Sequence, residues 1–469
     1  MRQLIAAAMG ACWLVASAAP AGAQGYVLDA RRIGMGGAGT HQDEAAQMTC
    51  ASRRYNYIGL PFGLIQVAEN TDIFDPTDNE FNPILALEYA ANPMAIVFDR
   101  GMSAAGNQFV TDIVNSSLNP NLNAYRGFSP VQNFAAQGIQ APNWGSTFKF
   151  RRRAADEEVP NRPAAVSQYY QGIYLGSGPY TSFGATMNFD PRLIQIFESP
   201  VPVFDPNTTL TISGTAQIQL AAALTGGYRA RFKAPRFLAG APSTNRRYPC
   251  PHNGIFVAVN ANYLQGIHYE NADLNVQMTT NALGLVTLIP ATTPVIVNRL
   301  AANGGNGFSV DVAAAIVVDS WSLSVAIRGI ENHINWHRLE RETWQLNALS
   351  TGAAFIHTPR IPAPGDARVE LPIRYSVFAR HDTANWSTGL DLFYGLNKFE
   401  FYGGTEYRWS RLELRAGARR SLQRWNPAAG IGVNFTSRFG LDIAGFGTTT
   451  NIEETRKAAI SLSLRFDRK

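Results

Sequence analysis

The chain has 469 residues, 46% hydrophobic and 16% charged, with 41 Gly and a formal net charge of +5. Beyond the first two dozen residues no stretch approaches the roughly 18 uninterrupted apolar residues that a membrane helix requires, so a bilayer could be crossed only by strands. No Pro/Ser-rich linker or shift of composition divides the length into soluble domains, and the pI of about 9.1 requires no nucleic acid, because a basic lumen or rim accounts for it.

At the start, Arg2, an apolar run from Leu4 to Ala19 and the small residues Ala21, Gly22 and Ala23 ahead of Gln24 read as a signal peptide over 1–23. Cys12 follows Gly10 and Ala11 as in a lipoprotein signal, but the apolar run continues through Trp13, Leu14 and Val15, which argues against that reading. Residues 24–80 lack sustained alternation and are rich in Gly, Asn and Asp; they read as an N-terminal hatch or plug carrying Gly34, Met35, Gly36 and Gly37. A transmembrane barrel is assigned to 81–469, with the first strands falling within 55–100. Residues 101–145 read as a long polar extracellular loop with a short helix near 108–118. Strands are expected at 146–153, 169–189, 208–231 and 255–278, separated by irregular pieces at 232–253 and 279–306.

Alternation carries the fold assignment. Leu210, Ile212, Gly214, Ala216, Ile218 and Leu220 are apolar or small, while Thr209, Thr211, Ser213, Thr215, Gln217 and Gln219 between them are polar. That period of two persists for about eleven residues, the length a tilted barrel strand needs. Val310, Val312, Ala314, Ile316 and Val318 form another face; after Asp319 and Ser320 the pattern resumes with Trp321, Leu323, Val325 and Ile327, as in a hairpin with a short turn.

Toward the C-terminus the second face becomes charged. Ile373, Tyr375 and Val377 alternate with Arg374, Ser376 and Arg380; Phe399, Phe401, Tyr407 and Trp409 with Lys398, Glu400, Glu406 and Arg408; Leu412 and Leu414 with Arg411, Glu413 and Arg415. The charged members are the candidate lumen and ligand residues. Ile460, Leu462, Leu464 and Phe466 face outward on the last strand. A soluble all-β protein would also alternate, but strands of nine to eleven residues exceed the usual five or six. Tyr263, Tyr269, Trp321, Trp336, Trp409 and Trp425 fall near expected strand ends, where an interfacial girdle would place them. The fold expected is all-β, a transmembrane antiparallel β-barrel of about fourteen strands with an N-terminal hatch.

The opening 30–39, Ala-Arg-Arg-Ile-Gly-Met-Gly-Gly-Ala-Gly, followed by Asp43, Glu44, Ala45 and Ala46, resembles the start of FadL-like outer-membrane proteins, including PorV-like and TraF-like relatives. Residues 371–375, 402–407 and 414–418 are similar to the closing hairpins of those barrels. The resemblance implies a barrel of about fourteen strands whose hatch gates uptake of fatty acids or other hydrophobic compounds. Where the family carries an Asn-Pro-Ala motif this chain reads Gln47, Met48, Thr49, Cys50, so the family's gating residues do not transfer. The chain also continues past Phe466 with Asp467, Arg468 and Lys469. Recognition by the barrel-assembly machinery is expected nonetheless.

Other chemistry is sparse. The 34–39 glycines superficially resemble a dinucleotide loop, but no strand–loop–helix context surrounds them. His333 and His337, with Glu331 and Glu340, could face one way, yet their spacing lacks the Glu of an H-E-x-x-H site, and no metal or cofactor is assigned. Cys50 and Cys250, the cysteines beyond the signal, could form a hatch-to-barrel disulfide in an oxidising periplasm. The arginine pairs at 31–32, 53–54, 246–247 and 419–420, and the run at 151–153, read as solvated or lumenal charge, with lipopolysaccharide phosphates as candidate contacts alongside outer-membrane lipid. Three functions follow: a passive channel for hydrophobic small molecules in the outer membrane of a Gram-negative cell, a non-transport accessory of a secretion or conjugation apparatus, and an enzyme. No Ser, His and acid have a spacing that supports the last.

Overall fold

The computed structural model describes residues 29–39, 55–60, 95–99, 101–114, 122–140, 144–154, 168–199, 205–234, 254–283, 286–287, 295–318, 320–347, 354–370, 373–395, 398–421, 424–436, 439–449 and 451–467, with Phe62, Asn82, Leu85 and Glu88. The signal peptide, Cys50, Cys250 and the arginine pairs at 53–54 and 246–247 lie outside the described residues.

The strands are β1 (Tyr55–Gly59), β2 (Ile96–Val97), β3 (Asn133–Gln140), β4 (Trp144–Ala154), β5 (Gln168–Phe189), β6 (Thr209–Phe232), β7 (Gly254–Thr280), β8 (Val286–Thr287), β9 (Val295–Ala302), β10 (Gly305–Val318), β11 (Trp321–Trp336), β12 (Glu340–Asn347), β13 (Ala354–Pro362), β14 (Ala367–Glu370), β15 (Arg374–Asp382), β16 (Trp386–Gly395), β17 (Lys398–Trp409), β18 (Leu412–Ser421), β19 (Arg424–Asn434), β20 (Phe439–Thr448) and β21 (Lys457–Asp467). All belong to one sheet.

Register shows that several short strands are pieces of longer ones. β5 meets β3 at Gln140↔Thr181 and β4 at Trp144↔Ser177 without a shift between them, so β3 and β4 form one rung. β9 and β10 likewise share one register along β7. β11 and β12 line up along β10 and β9, and β13, β14 and β15 along β12 and β11. Among the described residues the sheet is therefore an antiparallel meander of about thirteen rungs, with β1 and β2 on one edge of β21 supplying a fourteenth, an even count as bacterial barrels have. Just ahead of β3, the Val131 amide donates to the Ile452 carbonyl at 2.7 Å, which brings the first long rung beside the connection into β21.

The two faces of this sheet are inverted relative to a soluble protein. Ile173, Leu175, Ile218, Leu220, Leu224, Val325, Ile327, Leu390, Leu414 and Ile431 are exposed, whereas Gln219, Asn260, Asn262, Ser324, Asp391, Glu406, Glu413, Arg415, Asp442 and Arg465 are buried. In water the exposed side would be unsatisfied apolar surface; in lipid it is the solvated side. The soluble all-β alternative therefore fails.

From β16 to β21 the strands run 10 to 12 residues. Aromatic pairs bracket them, exposed Trp386 with half-buried Tyr407 at one end (4.7 Å) and exposed Tyr394 with Phe399 at the other (4.6 Å). Between Phe399 and Trp409, at about 3.3 Å per residue and a tilt of about 40°, β17 covers about 25 Å of membrane normal, the height of an apolar band.

β5, β6 and β7 run to 22, 24 and 27 residues and overshoot that band. Beyond it their apolar face needs protein cover, and three short helices supply it: α2 (Ala104–Val114) and α3 (Pro191–Glu198), named after α1 (Ala30–Gly34) at the chain start, and the 3-10 turn Leu122–Tyr125. Phe109, Tyr125, Phe128, Leu193 and Phe197 pack with Phe183, Met187, Phe189, Leu210, Ile212, Val276 and Met278 in one buried cluster. Asp190 caps α3 by accepting from the Arg192 amide at 3.0 Å. Its carboxyl is held below the usual range mainly by the Arg192 side-chain hydrogen bond.

Several expectations change here. The Leu210 to Leu220 face is not lipid-facing throughout, because Leu210 and Ile212 lie under the helices while Ile218 and Leu220 are exposed. The expected helix is α2, and β3 lies inside the stretch read as loop 101–145. The supposedly irregular 279–306 contains β9 and the start of β10. β1 pairs with β21, so the sheet takes in residues from within the 24–80 stretch. Trp321, Trp409 and Trp425 are exposed at strand ends as a girdle requires, and Tyr263 is exposed but mid-strand. Tyr269 and Trp336 are buried, their rings stacked at 5.4 Å.

Candidate functional site: a seat for the N-terminal segment

Residues 29–39 lie on the polar, buried face of β15–β21. The Asp29 side chain caps α1 by accepting from the Arg32 amide at 2.8 Å. After Gly34 the chain turns through Gly36, Gly37 and Gly39, with φ of 65°, 90° and 85°. A side chain at any of these would adopt a left-handed conformation that glycine reaches without strain.

The wall beneath is also glycine. A Cβ on Gly404 or Gly417 would overlap the Met35 backbone, and one on Gly36 would overlap Ala418. A Cβ on Gly34 would stand 3.0 Å from the Gly430 Cα. Gly404 and Gly417 pair directly across β17 and β18, so the segment's backbone rests on a flat strip of wall backbone. The Ala30 amide adds a hydrogen bond to Ser463 Oγ at 3.0 Å.

Around the strip runs a buried ion network. Glu406 accepts from Arg31 of the segment at 2.7 Å and from Arg415 at 2.8 Å, and Arg408 lies 3.4 Å away. Arg415 also reaches Asp442 at 2.6 Å and Glu413, which is shared with Arg465. Arg465 approaches Asp442 at 3.6 Å. Arg408 continues to Asp382 at 3.7 Å, which pairs with Arg380 at 2.8 Å. The network crosses from β15 to β21. Charges so far from water are tolerable only when each acid has a cation and hydrogen bonds.

Of the residues singled out from sequence, Arg380, Glu406, Arg408, Glu413 and Arg415 belong to this network. Glu400 is buried on the same face and accepts from the Tyr402 hydroxyl. Arg374 is half-buried at the start of β15, opposite Arg328 in the register. Lys398 opens β17 opposite Gly395; its side chain lies outside the described residues. Arg411 is exposed in the tight turn with Ser410, whose φ is 55°.

Sequence reasoning missed Arg31, Asp382, Asp442 and Arg465 as network members, although Asp442 between Leu441 and Ile443, and Arg465 between Leu464 and Phe466, sit at polar positions of the alternation. His333 and His337 take separate partners. His337 lies 3.0 Å from Asp366 and His333 4.0 Å from Glu331, and no group of metal-ligating residues forms among the described residues.

A second inner feature is apolar. Tyr180, Leu264, Tyr269, Ile334, Trp336 and Leu339 form a cluster on the same face as Gln219, and Trp336 Nε1 donates to Gln219 Oε1 at 3.0 Å.

No family model and no curated protein matches the chain. Among solved structures, a FadL homologue of Pseudomonas aeruginosa aligns at 12% identity over 76% of this chain and 97% of its own, with a TM-score of 0.31. The chain is similar to FadL-type outer-membrane proteins. A TodX mutant, described as a monoaromatic hydrocarbon channel, aligns at 11% identity over 76% and 94%, with a TM-score of 0.26. A Rhodopseudomonas blastica porin aligns at 10% identity over 72% and 99%, with a TM-score of 0.23. At TM-scores this low no residue is transferred from these FadL-like and porin barrels, and the site stands on its own geometry.

Proposed function

We propose that this chain is an outer-membrane channel of a Gram-negative cell for passive uptake of hydrophobic small molecules, with residues 29–39 as its hatch. The observation that carries the reading is the apolar cluster of Tyr180, Leu264, Tyr269 and Trp336 on the inner face, apart from the charged network of the C-terminal strands. A water-filled pore for polar solutes has no use for it, whereas an apolar solute needs such a patch to leave water. Fatty-acid-like and aromatic compounds are the candidate solutes, and the protein is read as a conduit without catalysis or cofactor.

The test is native mass spectrometry of the detergent-extracted barrel together with uptake of a labelled apolar compound by cells. Trp336→Ala removes the largest side chain of the cluster and the stacking partner of Tyr269, and is expected to lower retention of co-purified apolar ligand about tenfold or more. Retention equal to the unmodified protein's would remove the patch from the account. The dense salt-bridged wall under the segment favours a second reading, a non-transport accessory of a secretion or conjugation apparatus. Absence of uptake in cells, with a folded barrel present, would select it.

A further inference from the structure

We propose that Arg31 is a releasable latch and Glu406 its receptor, the wall being complete in charge and shape without the segment; this rests on the hatch reading above. The electrostatic half of the argument lies in what Glu406 keeps when Arg31 leaves. Arg415 at 2.8 Å and Arg408 at 3.4 Å stay on the wall strands, so departure of the segment strands no buried carboxylate. Arg31 is itself partly open to solvent, at 13% side-chain exposure against 1% for Glu406, and regains water on release. A permanent plug would be expected to carry a charge the wall cannot do without, because an ion buried without its partner is strongly destabilising.

The steric half lies in the glycine strip. Contact between Met35 and Gly36 on one side and Gly404 and Gly417 on the other is backbone against backbone. At that strip no side chain interlocks with the wall among the described residues, and the apolar cluster of the segment is Ala30 and Ile33 against Ala444 and Phe446. The Ala30 amide bond to Ser463 and the Arg31 pair are two polar ties that position it.

The experiment reads occupancy of the seat apart from transport. Ala38 is buried when the segment is seated, so Ala38→Cys, in a chain with Cys50→Ser and Cys250→Ser, reacts with a water-soluble maleimide only on release. Arg31→Gln is expected to raise the labelling rate about tenfold, the loss of one charge-assisted pair. Arg31→Lys should stay near the parent rate, and heat-modifiable gel migration should be unchanged in both. Labelling as slow in Arg31→Gln as in the parent overturns the latch, and so does loss of the folded gel form in that variant. If labelling responds as stated while no variant takes up apolar compounds, the channel reading fails and the latch stands. If uptake is present and labelling is indifferent to Arg31, the reverse holds.

Discussion

Arg415→Met is expected to lower the stability of the folded barrel by about 3–5 kcal/mol, the cost of removing one partner from a buried ion cluster. Arg415 is the hub: it is fully buried, and its three guanidinium nitrogens reach Glu406, Glu413 and Asp442 on three strands. Methionine fills much of the volume but leaves three carboxylates with fewer cations on β17, β18 and β20. Arg415→Lys should fall between the two, because an ammonium on a flexible stem cannot serve three acids with the planar fork that Arg provides. The measurement is the urea midpoint of the folded band in lipid vesicles, followed by gel migration. A midpoint for the methionine variant equivalent to a loss under about 1 kcal/mol would mean that the cluster is wetter and looser than described.

Gly417→Val is expected to do the opposite, leaving the barrel intact and evicting the N-terminal segment. A Cβ there would collide with the Met35 carbonyl carbon and the Gly36 nitrogen, backbone atoms that cannot rotate aside. Overpacking of this kind costs about 1–3 kcal/mol where neighbours can shift; here the segment can only leave, so maleimide labelling of Ala38→Cys should rise by about thirtyfold or more. Gly445→Val is the control, since a Cβ on Gly445 meets nothing within 4 Å. Equal labelling in both variants would mean that the strip is not the seat.

The strand positions were readable where alternation runs long. β5, β6 and β7 fall within a residue or two of their expected bounds, because alternation sustained over ten or so residues in the middle of a long segment admits little else. Charge placement on the C-terminal strands was readable for the same reason, down to Glu406, Glu413 and Arg415. What alternation cannot encode is the medium an apolar face meets. Ile212 and Ile218 are the same residue on the same face of β6, yet one lies under α2 and α3 and the other is exposed; the difference depends on where the bilayer ends. Tyr269 shows a different limit. A β-bulge beside Tyr269, where the β6–β7 register shifts between Leu220 and Ala221, moves residues from one face to the other.

The seat was half-legible. The glycine-rich opening was legible as part of a hatch, and its partners Gly404, Gly417 and Gly430 were visible only as ordinary strand glycines until register aligned them. Arg31 read as one of several arginine pairs; its role appears only when Glu406, 375 residues along the chain, is placed beside it.

The account rests on a sheet whose apolar face is in lipid and whose charged face is enclosed. Single-tryptophan variants in vesicles of brominated phospholipid test it directly. Fluorescence of Trp386, Trp409 and Trp425, all exposed, should be strongly quenched, and that of Trp336, wholly buried beside Gln219, should not. Quenching of Trp336 as deep as that of Trp409, or none at all three exposed positions, would contradict it.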